Sequence, residues 1–175
     1  MQAKVNFIKI QVVLAVLLSL FGETALSAEP SSKSCNYYFD VEDYYRCGRR
    51  GYPLNFGYRL CHRYLQAEPR LSKPIREWFP KIRLCLQEFI ADEYGSIRDC
   101  RDLKQRSIDS HIPCYVKTGF CSLEGKDVFK IIQITSIDIF NPDVLSMSMK
   151  VLQKCSAINK TKTHFTDQYS RTSGL

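Results

Sequence analysis

The chain has 175 residues, with 25 Lys/Arg against 18 Asp/Glu and a formal net charge of +7. That length holds one small domain plus its ends, enough chain to bury a core. Its eight cysteines stand at wide gaps except for Cys114 and Cys121, and none forms the close ligand pairs of the usual zinc sites.

Residues 1–27 read as a secretory signal peptide. Lys4 and Lys9 precede the apolar run Val12 to Phe21, and Ala25-Leu26-Ser27-Ala28 offers small residues for cleavage after Ser27 or Ala28. The run is short for a bilayer, which needs about 20 apolar residues. No later stretch is longer, so the expected product is exported, with no membrane span. All eight cysteines follow the cleavage site. In an oxidising compartment an even set reads as four disulfides, and on the order of 100 pairings leave the connectivity open at this point.

Residues 28–57 form an acidic-aromatic, then Gly-rich N-terminal segment. A flexible lead covers 29–34. Cys35 and Cys47 bracket an acidic, aromatic stretch in which Tyr44 and Tyr45 stand beside Glu42 and Asp43. These two tyrosines are candidates for sulfation, with simple packing under a loop as the plainer reading. Gly48, Gly51, Pro53 and Gly57 make 46–57 irregular.

Residues 58–155 read as a disulfide-linked helical domain. Leu60, Cys61, Tyr64 and Leu65 share one helical face, and Pro69 stops that run. Ile75, Trp78, Phe79, Ile82, Cys85, Leu86, Phe89 and Ile90 give the strongest helical spacing in the chain. Pro80 is expected to kink that helix or start a new one, and Gly95 to end it. A weaker helix covers 96–112, broken by Pro113. Cys114-Tyr-Val-Lys-Thr-Gly-Phe-Cys121 follows as a central helix. On a helix its two cysteines lie about 10 Å apart, beyond the roughly 4.4–6.8 Å a disulfide tolerates. They therefore bond to different neighbours.

Over 126–140 a helix is expected in the first half, and the β-branched second half is left open. Asn141-Pro142-Asp143 is a helix start: a cap, a proline at the first turn and an acid near the positive end. Val144, Leu145, Ser148, Val151, Leu152 and Cys155 share one face of that helix. After Cys155 the chain turns polar, and 156–175 reads as a flexible tail. It carries the one glycosylation sequon, at Asn159. The fold expected is an all-α, disulfide-stapled bundle of about five helices, with an irregular N-terminal segment and a disordered C-terminal tail.

Charge is local. Residues 46–83 hold ten Lys/Arg and only Glu68 and Glu77. Such a segment attracts an anionic extracellular partner such as a sulfated glycan, with Arg59, Arg63, Arg76 and Arg83 as the candidate contacts. The plainer reading is a solvated helical surface. Catalytic chemistry has little support. His62, His111 and His164 are isolated, and no metalloprotease, nucleophile-elbow or phosphate-loop motif occurs. Asp40-Val-Glu-Asp43 lacks the ligand set and glycine of a calcium loop. The chain is expected to be no enzyme, with no cofactor, no metal and no nucleic-acid partner.

The cysteine array resembles that of the stanniocalcin family over about Cys35 to Cys155. The resemblance rests on Tyr58-Arg-Leu-Cys61, on Ile82-Arg-Leu-Cys85 and above all on Cys114-Tyr-Val-Lys-Thr-Gly-Phe-Cys121. The intervals between Cys61, Cys85, Cys100, Cys114, Cys121 and Cys155 also agree. It implies the pairs Cys35–Cys61, Cys47–Cys100, Cys85–Cys114 and Cys121–Cys155. It further implies a secreted, non-catalytic glycoprotein hormone or signalling factor acting on calcium and phosphate homeostasis or growth, through an extracellular receptor. The alternative it implies is inhibition of a pappalysin-type metalloprotease, and heparin-like glycans are a further implied partner. A helical carrier of apolar ligands is a third reading, from the residues alone. This chain has two cysteines before Cys61 where the family has four. It lacks the family's long tail and dimer-forming cysteine, and its sequon follows the core.

Overall fold

The computed structural model describes residues 28–135 and 141–172, with 161–172 by backbone alone. Among these residues all regular structure is helical. Helix α1 (Tyr37–Tyr45) is followed by a π-helical turn (Pro53–Tyr58) that leads directly into α2 (Arg59–Ala67) and a 3-10 turn (Glu68–Arg70). Then come α3 (Lys73–Glu93), α4 (Cys100–Thr118), a 3-10 turn (Phe120–Ser122), α5 (Gly125–Thr135) and α6 (Pro142–Thr172). The fold is thus the all-α, disulfide-stapled bundle that the helical periodicities and the cysteine count implied.

Helix α4 is the organising element. It packs against α3 on one side and α6 on the other. Its cap is Asp99, whose carboxylate accepts from the backbone N–H groups of Arg101 and Asp102 at 2.8 and 2.9 Å. Such caps satisfy donors that the first turn leaves open. It ends at Gly119, where φ of 93° lets the N–H turn back to the carbonyls of Tyr115 and Val116. Gly119 corrects one expectation. Cys121 lies beyond the helix in the following 3-10 turn, so the helix does not carry both cysteines of the central stretch.

Pro113 was expected to break a helix, and Pro80 to kink one or start a new one; both helices run on through them. Pro80 sits inside α3 and Pro113 inside α4. Pro80 is half-exposed and Pro113 exposed, so water is at hand near the hydrogen bond each cannot make. Burial of the neighbours holds the next turn in place: Phe79 and Ile82 beside Pro80, Cys114 and Tyr115 beside Pro113. Tertiary packing outweighs local propensity at both sites.

The core is aromatic. Tyr64 stacks on Phe79 at 4.4 Å between ring centroids, and Trp78 meets Tyr115 at 5.2 Å and Phe120 at 5.4 Å. The buried polar tips find partners, as such rings require. Trp78 Nε1 donates to Thr118 Oγ1 at 2.9 Å, and the Tyr64 and Tyr115 hydroxyls lie 3.3 Å apart. Tyr38 of α1 lies so close to Gly57 that a Cβ there would sit 2.4 Å from the ring. The stretch expected to be irregular over 46–57 is so only to Gly51; from Pro53 it winds as the π-helical turn.

Helix α5 occupies the expected first half of 126–140, and 136–140 lies outside the described residues. Helix α6 opens at the expected signal, with Asn141 Oδ1 accepting from the Asp143 N–H at 3.0 Å. Val144, Met147, Val151 and Cys155 form its buried face. Its backbone continues to Thr172, and from Ser156 to Lys160 its side chains are exposed or half-exposed.

Candidate functional site: a basic cleft beneath the N-terminal strap

Four disulfides join Cys35–Cys61, Cys47–Cys100, Cys85–Cys114 and Cys121–Cys155. They are the pairs implied by the family resemblance. Cys114 sends its bond back to α3 and Cys121 sends its bond forward to α6. The start of α4 is tied to the loop after α1 through Cys100.

The lead before Cys35 is held, not free. Gln87 of α3 is fully buried. Its Oε1 accepts from the Ser31 N–H at 3.1 Å, and its Nε2 donates to the Ser31 and Ser34 carbonyls, each at 3.0 Å. Four residues earlier, Arg83 Nε donates to the Ser32 carbonyl at 2.6 Å. Residues 28–34 are therefore a strap pinned on α3, where the sequence reading expected a flexible lead. Nothing in the strap's own composition signals this, because its partners are side chains more than 50 residues away.

Arg83 is also corrected as a glycan contact. Only 3% of it is exposed, and its Nη2 lies 2.8 Å from Glu68 Oε2. A buried guanidinium holding a carboxylate and a carbonyl is structural, and it cannot face a dissolved polymer. Beside it opens a cleft of about 380 Å³ lined by Ser32, Lys33, Leu65, Glu68, Arg76 and Pro80 among others. Lys33 and Arg76 are its exposed cations. Arg59 and Arg63 stand one turn apart on α2, half-buried, outside the cleft lining. Of the four arginines the structure thus brings Arg76 to the cleft edge and Arg83, buried, into its wall, and it adds Lys33, which lies outside the basic segment. This arrangement supplies binding chemistry: cations at an open edge over apolar walls suit an anionic group on a larger partner.

The remaining named residues are dispersed. Asn159 is exposed on α6. Tyr44 is 62% exposed, whereas the Tyr45 hydroxyl donates to the Tyr94 carbonyl at 2.6 Å. His62 is exposed and stacks on Tyr58. His111 is buried, with Nδ1 2.8 Å from the Ser107 carbonyl oxygen. Burial lowers its pKa to about 4, so it is neutral at pH 7 and Nδ1 donates. The side chain of His164 lies outside the described residues. At the surface of α4, Asp102 is held at about 2 by the Arg98 backbone N–H and side chain and by Arg106. Among the described residues no group of three His, Cys, Asp or Glu could hold a metal ion. No described helix is long and apolar enough to cross a membrane. Four intramolecular disulfides are compatible with a secreted or extracellular protein.

No family model, no curated protein and no solved structure matches the chain.

Proposed function

We propose that the chain is a secreted, stanniocalcin-like glycoprotein that signals by binding a protein receptor, without catalysis, and acts on calcium and phosphate homeostasis or growth. The observation that supports this reading is the disulfide connectivity. One pairing among on the order of 100 coincides with the one the resemblance implies, and it sends Cys114 and Cys121 in opposite directions. The second reading, inhibition of a pappalysin-type extracellular metalloprotease, draws on the same connectivity. Heparin-like glycans are a further proposed partner, met by Lys33, Arg76, Arg59 and Arg63 and without Arg83.

Cross-linking of the labelled, glycosylated protein on living cells, followed by mass spectrometry of the partner, tests the reading. A cell-surface receptor is the expected product, together with altered calcium or phosphate uptake. A metalloprotease whose peptide cleavage falls on addition of the protein selects the second reading. Unchanged ion uptake and unchanged proteolysis at saturating protein overturn both.

A further inference from the structure

The strap begins with a contact whose charge is unbalanced. The backbone nitrogen of Ala28 donates to the carboxylate of Asp40 on α1. Among the described residues no lysine, arginine or histidine pairs with Asp40. Other carboxylates share its neighbours: Asp40 and Glu29 both act on the Tyr37 phenol, and Asp40 and Asp43 both act on Tyr94. A carboxylate in such a place, with an amide as its donor, lacks a cation.

The small residues 25–28 allow two cleavage frames, one residue apart. A cut after Ser27 makes the nitrogen that touches Asp40 the chain terminus. A cut after Ala28 removes that nitrogen and starts the chain at Glu29, about 3.8 Å further along. The strap cannot slide to compensate, because Ser31, Ser32 and Ser34 are held by Gln87 and Arg83. A Glu29 terminus would also place one more carboxylate beside the new amine in place of the contact with Asp40.

We propose that the chain is cut between Ser27 and Ala28, and that the new α-ammonium of Ala28 forms an ion pair with Asp40 that closes the strap onto α1. The step is hydrolysis by a leader peptidase. The bond from the Ser27 carbonyl carbon to the Ala28 nitrogen breaks, and water supplies hydroxide to Ser27 and a proton to Ala28. The amine takes a further proton from solvent and becomes the missing cation. A terminal ammonium presents three donors where the peptide presented one, so it serves Asp40 and retains hydrogens for water. The inference rests on the export reading, and the experiment separates the two.

Intact mass and N-terminal sequencing of protein secreted by eukaryotic cells should place the first residue at Ala28. Secreted protein that begins at Glu29 or elsewhere overturns the inference and leaves export standing. Uncut protein retained in the cell overturns both. The ion pair has its own readout. The α-amine of the mature protein, reductively methylated with a carbon-13 label, should titrate about one pH unit above the usual 7.7–8.0 range of a free terminus. Asp40→Asn keeps an acceptor and removes the charge, and should return the midpoint to that range. A wild-type midpoint within the ordinary range overturns the ion pair even if the variant does not fold.

Discussion

His111 makes acid stability a direct test of the core. It sits within α4, fully buried, against the rings of Phe56 and Tyr115 at 5.9 Å each, with Nδ1 donating to the Ser107 carbonyl. No carboxylate meets the ring in the described structure, and burial outweighs the backbone groups of Ser107 and Ile108 that favour the charged form. Its pKa falls from 6.5 to about 4, mainly through burial. The sign follows from proton counting. Between these two values the unfolded chain binds a proton on this residue and the folded chain does not, so stability falls as pH drops. The loss starts near pH 6.5 and is complete near pH 4. At about 1.4 kcal/mol per pH unit, the gap amounts to about 3 kcal/mol. The measurement is denaturant unfolding at pH 7.0, 5.5 and 4.2, with the disulfides intact, for the wild-type chain and for His111→Asn. The amide can keep the donor to Ser107 but does not titrate. The variant starts less stable, since its side chain is smaller. The informative quantity is therefore the difference in slope, with the wild type losing about 3 kcal/mol more than the variant over this range. Parallel pH profiles would refute the argument, because they would mean that His111 protonates as easily in the folded protein as in the unfolded chain.

Gly57→Ala should cost about 1–3 kcal/mol in the same unfolding assay, since its Cβ would overlap the buried Tyr38 ring at 2.4 Å. Gly95→Ala, where a Cβ meets open space, is the control and should be nearly neutral. Removing Cys121–Cys155 by a double Ser substitution should cost about 2–5 kcal/mol and raise hydrogen exchange in α6 before it does so in α3. Arg76→Ser should lower the salt needed to elute the protein from heparin, because exposed charge contacts are screened. Arg83→Ser should instead lower the unfolding midpoint by breaking the link to Glu68 and the strap. Asn159→Gln should abolish the entire shift produced by N-glycan removal, without changing the unfolding curve.

What the sequence made legible was periodic. The spacing from Ile75 to Ile90 named the buried face of α3, and Ile75, Trp78, Phe79, Ile82, Leu86 and Ile90 are buried there. The start of α6 was legible because a cap, a proline and an acid act locally on adjacent residues. Pro113 misled because its cost is local while the packing that outweighs it is not. Arg83 misled for another reason. Counting charge along a segment treats every arginine as solvated, yet a usable signal was present. Arg83 and Gln87 follow Phe79 at successive intervals of four, which places both on the apolar stripe of α3. Two polar residues on a core stripe need buried partners. Their helical phase could have flagged them, although it could not have named Ser31, Ser32, Ser34 and Glu68 as the groups they hold.

Those partners tie the cleft to the strap. The carbonyls of Ser31, Ser32 and Ser34 come from a segment with no helix or sheet of its own, so their hydrogen bonds must be supplied from outside. Gln87 and Arg83 supply them from one helix face, four residues apart, and in doing so fix the position of Lys33 between them. Arg76 needs no such help, since α3 itself holds it at the cleft edge. The two cations therefore depend on different elements. Loss of the strap's hydrogen bonds would leave the bundle held by Cys35–Cys61 and the other three disulfides, while the cleft would lose Lys33 and part of its wall. Gln87→Leu separates the two roles. The core helices should keep their hydrogen-exchange protection, the Ser31 amide that donates to Gln87 should lose its own, and heparin elution should move toward that of Lys33→Ser. Retained protection in the strap would mean that Gln87 is only a filler of the core and that the cleft stands without it.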